Sequence, residues 1–157
     1  MSDFDRAFDL LMESEGGYSD DPADPGGETN FGISKRAYPK EDIRFLTLER
    51  AKEIYKRDYW DAILADDLPY PINVLIFDAA VNQGKKAAVR MLQEALKIKQ
   101  DGLIGSQTIK AAVAASDAVC ADLLSIRAVR YANTANFGRF GRGWMKRLFV
   151  LAMETGK

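Results

Sequence analysis

Glu15 is the residue whose type and place in this chain best suit acid–base chemistry. It follows Phe8, Leu11 and Met12 by seven, four and three residues. Helical periodicity therefore puts it on an apolar face, unlike Asp5, Asp9 and Glu13. Burial disfavours the charged form of a carboxyl group and raises its pKa. A helix C-terminus adds an unfavourable dipole for an anion. Both effects favour a neutral carboxylic acid, the state that protonates a departing glycosidic oxygen. The same residues also fit an ordinary surface glutamate at a frayed helix end. An inverting glycosidase needs a second carboxylate to activate water, and Asp20, Asp21, Asp24 and Glu28 all follow in the next loop. Asp20 and Asp21 equally suit a turn. Thr29 offers a hydroxyl that can orient a water.

The rest of the composition removes competing chemistries. The chain of 157 residues has no histidine, which excludes histidine triads, histidine general bases and histidine metal sites. Its one cysteine, Cys120, cannot form an internal disulfide and reads as a small buried thiol among apolar neighbours. No apolar run reaches the ~18 residues of a membrane span. The start, MSDFDRAFDLL, is acidic and amphipathic and does not read as a signal peptide. The expectation is synthesis in the cytoplasm, with any outside action depending on another factor for release or export.

The net charge of −1 hides an asymmetry. Residues 1–69 carry 17 acids against 9 bases, and residues 70–157 carry 6 acids against 13 bases. A cationic half can dock on an anionic polymer, or the two halves can simply attract each other in the fold.

The elements that must position these groups are mostly helical. Phe4, Ala7, Phe8, Leu11 and Met12 share one face of a first helix, with Asp3 as its N-cap and Gly16-Gly17 as its end. Residues 16–33 form a long turn-rich loop with room for a small β-hairpin near 18–33 at most. A second helix follows Thr47 and runs through RAKEIYKRDYW. Residues 71–83 are apolar nearly all round, which predicts a central buried helix with Pro71 in its first turn and Gly84 as its stop. A fourth helix spans 85–97, Asp101-Gly102 marks a turn, and Ser106 caps a short helix. Two more helices are expected at about 117–135 and 143–155. FGRFGRGW reads as a glycine-rich turn before the last of them rather than as a nucleic-acid patch, and WMKRLFVLAM as a core-packing helix rather than a membrane-binding one.

The run ESEGGYSDDPADPGGETNFGIS resembles the N-terminal signature of glycoside hydrolase family 108, N-acetylmuramidase-like proteins found among phage endolysins and bacterial secretion activators. The stretch FDAAVNQGKKAAVRMLQEAL followed by DGLIGSQT is similar to the peptidoglycan-binding segment of that family. The resemblance implies one mainly α, lysozyme-like domain, with 1–69 as an acidic catalytic lobe and 70–157 as a basic helical lobe. It implies that Glu15 is the catalytic acid beside the glycan cleft. The glutamate–aspartate–threonine order of small phage lysozymes is also similar, and it maps onto Glu15, Asp24 and Thr29. Thr29 arrives one residue early for that pattern.

The activity implied is cleavage of the β-1,4 bond between N-acetylmuramic acid and N-acetylglucosamine by a monomer, with peptidoglycan as partner. No cofactor, metal, nucleic acid or membrane is implied. A non-hydrolytic wall-binding module and a lytic transglycosylase are the rival readings. Tyr18, Asn30, Asp78, Asn82 and Gln83 are the substrate-binding candidates. Asp78 and Asn82 lie one turn apart on the apolar 71–83 helix, where polar groups need partners; they either line the cleft or satisfy buried groups. Tyr18, Phe31 and Trp60 are candidates for stacking on sugar rings, although core packing is the more frequent role of aromatics.

Overall fold

The computed structural model describes residues 1–157 and is mainly helical. Helix α1 (Asp3–Ser14) is followed by a two-stranded hairpin, β1 (Thr29–Asn30) and β2 (Ile33–Ser34). Then come α2 (Leu48–Tyr55), a π-helical turn (Lys56–Trp60) and two short 3₁₀ turns. Helices α3 (Ile72–Gln83), α4 (Lys85–Ala95), α5 (Ser106–Ala114), α6 (Ala118–Ala132) and α7 (Phe137–Thr155) complete the chain. No helix is long and apolar enough to cross a membrane.

Helix α1 starts one residue earlier than its pattern predicts. Ser2, not Asp3, is the N-cap: its hydroxyl accepts from the Asp5 amide, and the Asp5 carboxylate takes the Ser2 amide and hydroxyl in return. This reciprocal box satisfies amides that the first turn leaves free. Phe4, Ala7, Phe8 and Leu11 are buried, as their spacing requires. Thr47 caps α2 through the Arg50 amide, as expected.

Helix α3 is the centre of the molecule. Every residue from Ile72 to Ala80 is buried, including Leu75, Ile76 and Ala79 with no exposed surface. It packs against α1, α4, α6 and the turns between α2 and itself. Phe4, Trp60 and Phe77 tie α1 and the π-helical turn to α3, with ring centroids 5.4 to 5.9 Å apart. Pro71 precedes α3 rather than opening it, after a cis Tyr70–Pro71 bond. Gly84, at φ +91°, ends α3 and starts α4. Its backbone is one that side-chain-bearing residues avoid, so it turns the chain directly into an α3–α4 helical hairpin.

Two further expectations differ from the structure. Ser106 is the first residue of α5 behind Gly105, and no side chain caps that helix. FGRFGRGW is not a turn; it forms the first two turns of α7. Exposed glycine costs a helix about 1 kcal/mol against alanine. Here packing outweighs propensity. Trp144 stacks on Tyr131 at 4.8 Å, Phe137 and Phe140 approach the same ring, and Gly141 is bare where a Cβ would sit 2.5 Å from the Phe137 ring. Cys120 is half-buried, and burial pushes its thiol pKa up, away from reactive thiolate.

Candidate active site

Glu15 sits at the junction of three elements. Helix α1 ends at Ser14, and Glu15 is its C-cap with extended backbone (φ −90°, ψ 144°). Its burial therefore does not come from the helical face inferred from spacing. It comes from neighbours supplied by the hairpin, α2 and α7.

The hairpin contributes its turn. Phe31 and Gly32 have φ of +51° and +77°, the two positive values of a tight two-residue hairpin between paired Asn30 and Ile33. A Cβ at Gly32 would stand 2.6 Å from the Tyr55 hydroxyl and 2.8 Å from Glu15 Oε2. Only glycine allows both that backbone and that approach. The Tyr55 hydroxyl donates to the Phe31 carbonyl at 2.9 Å and so clamps the turn to α2. Burial, then the Glu15 charge, hold that hydroxyl well above the ordinary tyrosine range, so it stays a neutral donor.

From α7, Arg147 places Nη1 3.7 Å from Glu15 Oε1, an ion-pair distance beyond hydrogen-bond reach. Its guanidinium is held more closely by Asp78 of α3: Nε lies 2.9 and 3.1 Å from the two carboxylate oxygens, and Nη2 2.7 Å from Oδ1. Arg127 of α6, fully buried, donates to Asp78 Oδ2 at 2.8 Å and to Gln83 Oε1 at 2.9 Å. Desolvation pushes the Glu15 carboxyl above its usual range; Arg147 pulls against this, and Asp78 adds to it. The outcome is a half-buried carboxyl inclined to hold its proton, which is what a general acid requires.

The other sequence candidates separate into two groups. Those of the loop stay near the hairpin. Ser19 and Thr29 exchange backbone hydrogen bonds at 2.8 Å, which folds the 20–28 loop back on β1. Tyr18 is exposed, with its hydroxyl donating to Glu28 Oε1 at 2.9 Å. Asp24 is exposed, and its Oδ1 accepts from the Gly26 amide at 2.8 Å; Asp21 accepts from the Ala23 amide at 2.9 Å. Both aspartates shape turns, and neither contacts Glu15. Asp20 is exposed.

The second group makes its hydrogen bonds to other protein groups. Asn30 is buried and donates to the Ile43 carbonyl at 3.1 Å. Asp78 and Gln83 are bound to arginines as described, and Asn82 donates back to the Asp78 carbonyl at 2.9 Å. Trp60 is fully buried with Nε1 on Asp66 at 2.7 Å, so it cannot stack on a sugar; Phe31 packs against the core. Asn30 Nδ2, both Asp78 oxygens and Gln83 Oε1 thus already have protein partners. A groove of about 410 Å³ between α1 and α7 is lined by Glu13, Ser14, Asp78, Gly143, Lys146 and Arg147 among others. It shares the arginine network but not Glu15.

The residues missed by sequence reasoning are Gly32, Tyr55, Arg127 and Arg147. Both arginines carried a readable signal. Arg127 falls four residues from Leu123 and Tyr131, and Arg147 three from Trp144 and four from Leu151. Each therefore lies on a core-facing stripe, and Asp78 is the acid on the most apolar helix to receive them.

Residues 8–84 match the family model described as Glycosyl hydrolase 108. A solved structure, that of Brucella abortus SagA, aligns with a TM-score of 0.86 at 33% identity, covering 97% of this chain and 92% of that one. The chain belongs to glycosyl hydrolase family 108. Residues 87–149 match the model of a predicted peptidoglycan domain. Together these matches make the chain a glycosidase that acts on peptidoglycan. No curated protein matches it. In this family 108 member the two matched regions meet at the α3–α4 turn, and one hydrophobic cluster of 30 buried residues runs through both.

Proposed function

We propose that the chain hydrolyses the β-1,4 bond between N-acetylmuramic acid and N-acetylglucosamine, with Glu15 as general acid. The observation that carries this is the half-buried Glu15 carboxyl, raised by desolvation, at the hairpin turn of a family 108 fold. Glu15 gives its proton to the glycosidic oxygen as the bond to the anomeric carbon breaks. Water adds to that carbon and completes the hydrolysis. Asp24 is the residue assigned to stabilise the oxocarbenium-like state or to accept the proton from water, with Thr29 orienting that water. Tyr18, exposed beside the loop, supplies a stacking face for a pyranose. The setting is wall lysis of the endolysin type by a monomer made in the cytoplasm and brought to the wall by another factor.

The test is lysis of permeabilised Gram-negative cells followed by turbidity. Glu15→Gln keeps the shape and removes the proton, so the rate should fall ~10²–10⁴-fold, the usual worth of general acid catalysis. A variant retaining more than roughly a tenth of the activity overturns the assignment.

One observation favours a second reading. Asp24 is exposed and engaged by its own turn, which leaves Glu15 as the one carboxyl with a chemical setting. A lytic transglycosylase needs only one such group. Mass spectrometry of the products decides: an anhydro-muramic end is the transglycosylase product, a reducing end the hydrolase product.

A further inference from the structure

We propose that Asp78 and Arg147 are a positioning pair for Glu15: both Asp78 oxygens take the Arg147 Nε–H and so hold the guanidinium at ion-pair distance from Glu15 without a hydrogen bond between them. The proposal rests on the reading of Glu15 as the acid but concerns different residues.

The geometry is unequal by construction. Arg147 reaches both Asp78 oxygens between 2.7 and 3.1 Å, and Glu15 only at 3.7 Å. Arg147 sits on α7, Asp78 on α3 and Glu15 after α1, so three packed elements fix the spacing. Arg127 holds Asp78 from the other side at 2.8 Å and stops it from turning toward Glu15. The remaining group facing Glu15 is Tyr55 of α2, which is neutral; the hairpin contributes main chain at Phe31 and Gly32. An arginine forked onto Glu15 would hold it ionised and useless as a proton donor. An arginine removed altogether would leave desolvation and the Asp78 charge unopposed, and the carboxyl would give up its proton less readily. Asp78 sets the balance between these extremes, and does so without touching substrate.

The consequence is a pair of shifts of opposite sign. In Asp78→Asn the guanidinium is released toward Glu15 and a neighbouring anion is lost, so Glu15 titrates at lower pH than in the wild type. In Arg147→Gln the opposing cation is lost, so Glu15 titrates at higher pH. A protonated acid is required for activity, so the alkaline limb of the kcat profile moves to lower pH in the first variant and to higher pH in the second. A merely structural role would lower the rate without moving the limb in two directions.

The experiment follows Glu15 itself by carboxyl carbon-13 NMR, assigned by its absence in Glu15→Gln, alongside pH–rate profiles on purified sacculi. Asp78→Asn strands two buried arginines, so it is also made together with Arg127→Met, which removes one of those charges. Opposite displacements of the Glu15 titration establish the pair. A titration that stays in place in both variants, or moves the same way in both, overturns it. If the titration moves as expected and the activity limb does not follow, the pair stands and Glu15 is not the acid, which separates this proposal from the one beneath it.

Discussion

Gly32→Ala tests whether the hairpin turn is the wall against which Glu15 is set. The added methyl has nowhere to go. It would lie 2.6 Å from the Tyr55 hydroxyl, 2.8 Å from Glu15 Oε2 and 3.0 Å from Glu15 Cδ, at a backbone φ of +77°. A left-handed backbone costs an L-residue roughly 1–2 kcal/mol. Overpacking a fitted site costs roughly another 1–3 kcal/mol. The sum is a loss of about 2–5 kcal/mol, which for a domain of this size lowers Tm by roughly 4–20 °C. The local effect is more specific. Either the turn lifts and lengthens the 2.9 Å Tyr55–Phe31 bond, or Glu15 is pushed aside. A displacement of ~1 Å at a reacting group is worth about 10² in rate. Thermal unfolding by circular dichroism and sacculus turbidity, measured well below the variant's Tm, read both. Gly138→Ala is the control: its Cβ meets nothing within 4 Å in a regular helix, so Tm should hold or rise by the equivalent of up to about 1 kcal/mol. A Gly32→Ala protein with wild-type Tm and wild-type rate would refute the close approach and the positioning built on it.

Other outcomes follow from the same geometry. Because burial raises the Glu15 carboxyl above its ordinary 4.5, the folded chain holds a proton that the unfolded chain has released between the two values, and stability falls as pH rises through that window. Glu15→Gln lacks this proton, so its Tm gain over the wild type should grow from below pH 4.5 upward; a gain independent of pH would contradict the burial. Asp24→Asn keeps the Gly26 contact and removes the charge, whereas Asp24→Ala removes both. Loss of lysis in both variants marks Asp24 as the second carboxylate, and loss confined to Asp24→Ala marks it as a turn-former. Finally, Arg147–Glu15 is the one ion pair that joins residues 1–69 to residues 70–157; the other pairs stay within a half. The exposed cations Lys85, Lys86, Arg139 and Arg142 should therefore strengthen sacculus binding by Glu15→Gln protein in a sedimentation assay. That binding should weaken as the Debye length falls from about 10 Å at 0.1 M salt to about 3 Å at 1 M, and constant binding would place affinity elsewhere.

Sequence by itself determined the helical framework and its centre. Periodic apolar positions fix which face of α1 is buried, and an all-apolar stretch has no stable place except inside, which is why 71–83 reads as the core helix without any structure. Thr47 and Gly84 mark helix boundaries because capping and positive-φ chemistry are local. Glu15 was legible as well, through its motif and the helix end at Gly16-Gly17.

The reason for its burial was not legible. Spacing placed it on a helical face, but the helix has already ended, and its surroundings come from residues 17, 40 and 132 positions later. The glycines of α7 misled for the same reason: their cost is local and visible, while the Tyr131–Trp144 stack that offsets it depends on α6 lying alongside. Asp78 is the sharpest case. Its place on an apolar helix announces a need for partners, yet a carboxylate lining a cleft and one forked between two arginines look identical until α6 and α7 are brought over α3. Periodicity acts over a turn or two of chain, whereas desolvation and ion pairing act through space, so only the tertiary structure decides where the charges of this protein meet.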